Sequence, residues 1–412
     1  MSRRMIEFGC AIVVIGLLAG VAGAATTLLL HAIEHLTYRY SFGSLLDGVE
    51  NSGHWRRALG PMLGGALAGT GWWRLRRRGA VPAVSAVLAG ERPVRRLALT
   101  GDAALQVLLV GSGASLGREG APRQLAVAWG DLGTSRWALT AEDRRILLAC
   151  AAGAGLGAVY SVPLGGALFA SRILLHTWHP RAVGTALITS SLAVAVAAPV
   201  THLEHPLTWP AADLSPRLAL LAVALAPLAL AVGWAFTRVT AVRPAKVSPA
   251  LIPAIAAAGL LTGVCSIWLP ELPGNGRSVL EVSVDSSLTL GAAAAILILK
   301  PLLSAAFLRA GAVGGLLTPA LATGAAAGSL VALGLNSVAG TALHVPAVSL
   351  TCAAGVLAIT QRSPLFAALF VWELARPPVW LLAVFALAAF TSYGLTYGLT
   401  RLRRAPTATE AA

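Results

Sequence analysis

Acidic side chains are the scarcest resource in this chain. Among 412 residues there are 17 Asp and Glu against 31 Lys and Arg, and charged residues of all kinds amount to 12%. With 57% hydrophobic residues, nothing of useful size is left for a soluble domain, and the composition is that of an all-α polytopic membrane protein. Cysteine is also rare. Cys10, Cys150, Cys265 and Cys352 lie in apolar runs without metal-ligand spacing, which excludes a disulfide framework or metal site and leaves small buried helix residues. The eight histidines (His31, His35, His54, His176, His179, His202, His205, His344) mostly sit at the ends of apolar runs, without a His-Glu-x-x-His pattern. With no nucleophile–base pair or metal ligands inside the spans, an enzyme is not expected, nor is any cofactor. No short apolar run precedes a small-residue cleavage site, so the first apolar stretch is expected to be retained. No appended nucleotide-binding domain is expected after Arg404.

The net charge of +14 would suggest nucleic acid in a soluble protein. Here the basic residues cluster at the ends of apolar runs instead, at Arg3-Arg4, Arg74 to Arg78 and Arg401 to Arg404. That pattern follows the positive-inside rule, so the partner is a lipid bilayer and not nucleic acid. It predicts a multi-pass cell-membrane protein with both termini in the cytoplasm. Apolar stretches fall at about 8–33, 58–73, 98–110, 147–175, 183–200, 217–236, 249–269, 288–308, 311–334, 346–375 and 379–399. Several are too short or too broken for a simple span of about 20 residues. The whole chain reads as one transmembrane domain, with a first repeat at about 58–236, a connector at about 237–247 and a second repeat at about 248–400.

Beside Glu373, Glu119 is nearly the only carboxylate within the apolar stretches. Glu119 belongs to Gly111-Ser-Gly-Ala-Ser-Leu-Gly-Arg-Glu-Gly-Ala-Pro-Arg-Gln124, where Arg118 and Glu119 are held between Gly117 and Gly120. Glycine permits irregular backbone and close approach to a ligand, and Pro122 fits a first helical turn. A helix start of this kind attracts an anion through its free N–H groups and dipole. An ionisable pair at membrane depth marks a functional site, and irregular backbone survives there only inside protein or beside a wet cavity. Glu373 reads as a helix-end residue at the interface, and Lys300 and Arg362 as packing or headgroup contacts.

The chain is also internally repeated. Cys150-Ala-Ala-Gly…Ser161-Val-Pro-Leu-Gly-Gly-Ala-Leu-Phe169 is echoed by Cys352-Ala-Ala-Gly…Ser363-Pro-Leu-Phe-Ala-Ala-Leu-Phe370, with Pro163 and Pro364 lying 201 positions apart. Gly117 to Pro122 is echoed by Gly314-Gly-Leu-Leu-Thr-Pro319 at an offset of 197. Broken segments at matching positions in two halves point to a transporter site.

At Gly117-Arg-Glu-Gly-Ala-Pro122, at Gly311-Ala-Val-Gly-Gly-Leu-Leu-Thr-Pro319, and at the two proline segments, the chain resembles the CLC family of chloride channels and proton-coupled chloride antiporters, of the bacterial type without CBS domains. The resemblance implies a homodimer with one anion pathway per subunit. Each pathway would lie between two inverted-topology repeats of tilted and broken helices. It makes Glu119 the gate, whose carboxylate competes with the anion. The N–H groups around it (Gly117, Arg118, Gly120) and those of Leu316 and Leu317 would hold chloride or a similar small anion, with a tyrosine of the last helix, Tyr397 or else Tyr393, touching it. Either tyrosine reads equally as an interfacial anchor. The loop Gly79-Ala80-Val81-Pro82 matches the family's pore-lining Gly-Ser-Gly-Ile-Pro segment but has no serine hydroxyl. Leu317 stands where a phenylalanine is usual, and Arg172-Ile173 where many antiporters carry acids. A passive or weakly proton-coupled anion pathway is therefore expected, the alternatives being a proton-coupled chloride antiporter or another inverted-repeat transporter.

Overall fold

The computed structural model describes residues 3–404 except 136, 202–206, 208, 211–214 and 243–245. His202, His205, Arg243, Pro244 and the side chains of Arg3 and Arg401 to Arg404 lie outside the described residues. The first half runs α1 (Arg3–Tyr38), α2 (Leu45–Glu50), α3 (His54–Arg77), α4 (Val84–Leu88), α5 (Arg96–Gly111), α6 (Gly120–Gly133), α7 (Ala141–Tyr160), α8 (Pro163–Leu168) with a π-helical continuation (Phe169–Leu174), α9 (Pro180–Thr201), α10 (Pro216–Ala224) and α11 (Ala226–Thr240). The second runs α12 (Leu251–Cys265), α13 (Arg277–Val284), α14 (Leu290–Arg309), α15 (Leu317–Ala339), α16 (Val345–Gln361), α17 (Pro364–Ala375) and α18 (Leu381–Arg404). No strand occurs among the described residues. Five helices are long and apolar enough to cross a bilayer, or six if α10 and α11, bent by 44°, make one span.

The breaks recur at the repeat interval. Ser161 and Arg362 are both left-handed (φ 54° and 52°), and each ends its helix just before the next begins at Pro163 or Pro364. Proline at the first helical position loses no hydrogen bond and cannot extend the helix behind it. The stretches read as 147–175 and 346–375 are therefore each a helix pair.

Corresponding helices of the two halves run in opposite directions. Along α3 and α12, Arg57, Pro61, Gly65 and Gly69 meet Gly263, Gly259, Ile255 and Ile252 in reverse order. A Cβ on Gly65, Gly259 or Gly263 would strike the partner's backbone, so these glycines set the spacing, as small residues do where lipid gives helices no hydrophobic reason to associate. Between α8 and α17 the order is likewise reversed: Gly165 lies against Phe370, and the Phe169 ring packs 5.9 Å from Phe366. Two copies of one helical plan, oppositely oriented, thus build an all-α membrane protein. Its buried residues gather into two large clusters, one mainly from α1 to α9 and one mainly from α13 to α18.

Arginines mark both ends of α3. Arg76, near the end of α3, donates to the Gly311 carbonyl at 2.9 Å, and Asp131 at the end of α6 receives Arg96 at 2.7 Å and Arg144 as well. This basic face lies at the far end of α3 from the C-terminal turn of α1, where the side chain of Arg56 binds the carbonyls of Leu36 and Thr37.

Candidate functional site

The halves touch in the interior through a pair of glycines. Gly117 N–H donates to the Gly315 carbonyl and Gly315 N–H to the Gly117 carbonyl, each at 2.8 Å, an isolated antiparallel bridge. The Glu119 carboxylate folds back over this bridge. A Cβ on Gly117 or on Gly315 would overlap it, so glycine at both positions is what makes the seat. α6 starts on one side of the bridge and α15 on the other.

Glu119 is 1% exposed, and its charge is met by the start of α15. Oε1 accepts from Leu317 N–H at 2.6 Å and from Thr318 N–H at 3.2 Å. Oε2 accepts from the Thr318 hydroxyl at 3.4 Å and the Tyr160 hydroxyl at 3.3 Å. Two N–H groups at a helix start, with the positive end of its dipole behind them, form an anion seat, and here a side-chain carboxylate fills it. Arg123 fixes the turn from below, Nε donating to the Glu119 carbonyl at 2.8 Å. Arg118 lies 5% exposed, donating to the Val159 carbonyl at 3.1 Å with its guanidinium 5.1 Å from the Tyr160 ring centre.

Of the residues read from sequence, Gly117, Arg118, Glu119, Gly120 and Leu317 are brought together here. Leu316 caps α15, its carbonyl accepting from Ala320 N–H, and the second backbone donor to Glu119 comes from Thr318 instead. Tyr397 stands apart, 61% exposed near the end of α18 with its ring 5.7 Å from that of Tyr393. The tyrosine that reaches Glu119 is Tyr160. Gly79 to Pro82 form the turn into α4, tethered by Arg95, whose guanidinium donates to the Ala80 carbonyl at 2.7 Å and the Arg78 carbonyl at 3.2 Å.

Glu373 needs correction. It is 9% exposed and accepts from Leu164 N–H at 2.9 Å and Gly165 N–H at 2.6 Å, so it caps α8 and does not end a helix at the interface. Its position within α17 hid a partner that only the antiparallel packing of α8 supplies. Lys300, 0% exposed, is a packing contact and meets no headgroup. Its Nζ donates to the Leu272 and Gly274 carbonyls at 2.8 and 2.9 Å, fixing the turn that carries Asn275.

A sequence model described as voltage gated chloride channel matches residues 64–397. The chain belongs to that family. It is 30% identical over 379 residues to the voltage-gated ClC-type chloride channel ClcB of Escherichia coli (strain SMS-3-5 / SECEC), covering 88% of this chain and 89% of the relative. Among solved structures, a slow cyanobacterial Cl-/H+ antiporter superposes with TM-score 0.75 at 19% identity, covering 97% of this chain and 99% of the other. A CLC-type fluoride/proton antiporter does so with TM-score 0.73 at 18% identity, covering 96% of each chain. At these identities the likeness is one of fold. The family consists of membrane transporters and channels, and the inverted halves described above are its architecture in this chain.

Proposed function

We propose that the chain moves chloride or a similar small inorganic anion through a pathway gated by Glu119, with passive or weakly proton-coupled conduction. The observation that carries this reading is the Glu119 carboxylate seated on the N–H groups of Leu317 and Thr318. An ionised carboxylate and a dehydrated anion ask the same thing of a helix start, so they compete for one place. Protonation removes the charge that holds Glu119 there; the side chain then swings off and an anion takes the donors. Falling pH therefore raises flux.

Coupling needs a titratable group at each end of a proton path. At the position where many antiporters of the family carry acids stand Arg172 and Ile173, and the Arg172 guanidinium is drawn 4.4 Å from the Trp178 ring centre. An aliphatic side chain relays no proton and a neighbouring guanidinium repels one, which favours conduction with little coupling. The assembly is proposed as a homodimer in the cell membrane, with the basic face and both termini cytoplasmic.

Liposomes loaded with chloride salts of several cations, with the membrane potential clamped and pH monitored, test this directly. Flux should follow the anion, and a chloride gradient should drive no sustained proton movement. Uphill proton pumping at fixed stoichiometry would assign the chain to the antiporters. Flux that follows sodium or potassium at constant anion would make it another kind of inverted-repeat transporter.

A further inference from the structure

Above the Arg118–Glu119 turn, a cavity of about 330 Å³ opens toward the face where α1 ends. Arg118 lines it, so the cavity adjoins the residue next to the gate. Its opposite wall is the last turns of α1. His31 and His35 lie four residues apart on one helix face, with rings nearly parallel (8°) and centroids 6.3 Å apart. His35 is exposed and His31 half-buried, so the cavity is lined with nitrogen bases at two depths and with a guanidinium. The edge of Tyr40 holds the His35 ring, with centroids 4.5 Å apart, while the Tyr40 hydroxyl reaches Glu34 Oε2 at 3.4 Å.

The remaining charges nearly cancel. Arg118 and Arg277 line the cavity against Glu34 and Glu281. Asp47 and Asp285 act on Glu281 from just beyond the lining. With the imidazoles neutral, the lining charges balance and the two aspartates leave the surroundings negative. Each protonated imidazole adds one positive charge to the lining, and the two together offset the aspartates. Histidine is the side chain whose charge changes between about pH 5 and 8.

We infer that this cavity is an anion-loading site at the mouth of the pathway, taking a small inorganic monovalent anion before it meets the gate, and that His31 and His35 set its charge. The inference rests on the anion-pathway reading of the Glu119 site. Loading is then a second response to acid, separate from the gate: protonated imidazoles raise the local anion concentration, while a protonated Glu119 vacates the inner seat. A change in the potential focused in a cleft acts on a small ion in this way.

The two responses separate in the Glu119→Gln protein, where the gate no longer titrates. In liposomes with chloride as the probe, the half-saturating chloride concentration of that variant should fall about three- to tenfold between about pH 8 and about pH 5.5. Adding His31→Gln and His35→Gln should hold it near its alkaline value at both pH values. Adding His35→Lys instead should fix it near the acid value at both, and this variant also tests the site if the double glutamine protein fails to fold. Identical pH shifts in all three proteins would overturn the loading site. Should Glu119→Gln keep the flux and pH response of the unaltered chain, the gate reading fails on its own. The same chloride titration of the histidine variants in the unaltered chain then decides the loading site.

Discussion

Among the described residues, two carboxylates sit on helix starts of the opposite half, and their settings differ. Glu119 of the first half caps α15 of the second, and Glu373 of the second caps α8 of the first. Glu373 projects from within α17, whose backbone ladder fixes it, and both its oxygens receive N–H groups. Glu119 sits at the boundary of α6 on irregular backbone, over two glycines, with one of its oxygens held only by hydroxyls at 3.3 and 3.4 Å. Under the proposed mechanism Glu119 leaves its seat as a gate, while Glu373 stays in place as a clasp.

The comparison is broken most sharply by neutralising each carboxylate in turn. Glu119→Gln should raise anion flux at neutral pH by about tenfold or more and flatten most of its pH dependence, since hydrogen bonds to a charged group contribute about 1.5–3 kcal/mol each. Liposome flux across a pH series measures it. Glu373→Gln should instead leave the pH response intact and lower thermal stability in detergent by about 1–3 kcal/mol, because the amide presents one donor to a pair of donors. A flattened pH response in the second variant would make Glu373 a gate as well.

A smaller intrusion tests the seat itself. Gly315→Ala should displace the Glu119 carboxylate and raise neutral-pH flux about fivefold, with no further gain when combined with Glu119→Gln, because both empty one place. Additive effects would show that the alanine acts elsewhere. Tyr160→Phe removes the long hydrogen bond to Glu119 and a longer contact with the Thr318 hydroxyl, and should raise flux two- to fivefold, about 1 kcal/mol or less. Thr318→Ala leaves the backbone N–H in place and should change flux by about twofold at most. An effect larger than that of Tyr160→Phe would place the weight of the seat on the hydroxyl and not on the helix start.

Much of this arrangement was legible in the residue order. The breaks at Pro163 and Pro364, the Gly-Arg-Glu-Gly turn and its echo at Gly314 to Pro319 mark the backbone where it must deviate, and such deviations are written locally in glycine and proline. Side-chain partners are not. Tyr160 reads as part of an interruption in an apolar run, and nothing in its neighbourhood announces a carboxylate 41 positions earlier. The one signal was a hydroxyl-bearing aromatic at a helix end beside a break. Thr318 could have been found by noting that the first two N–H groups of a helix, not its cap, point along the axis. Glu373 was misread because hydropathy places a charge at the end of an apolar run on the surface, whereas an antiparallel neighbour had brought it donors.

The seat of Glu119 has a consequence for biogenesis. Its backbone donors are encoded 198 and 199 positions after the carboxylate. At roughly 5–20 residues per second, the ribosome needs about 10–40 s to supply them. During that interval the first half can offer Glu119 the Tyr160 hydroxyl and the Arg123 guanidinium, but not the two backbone donors of its seat. The seat is completed only when the second half enters the bilayer in the opposite sense. A product truncated before Leu317 therefore lacks both backbone donors of the Glu119 seat.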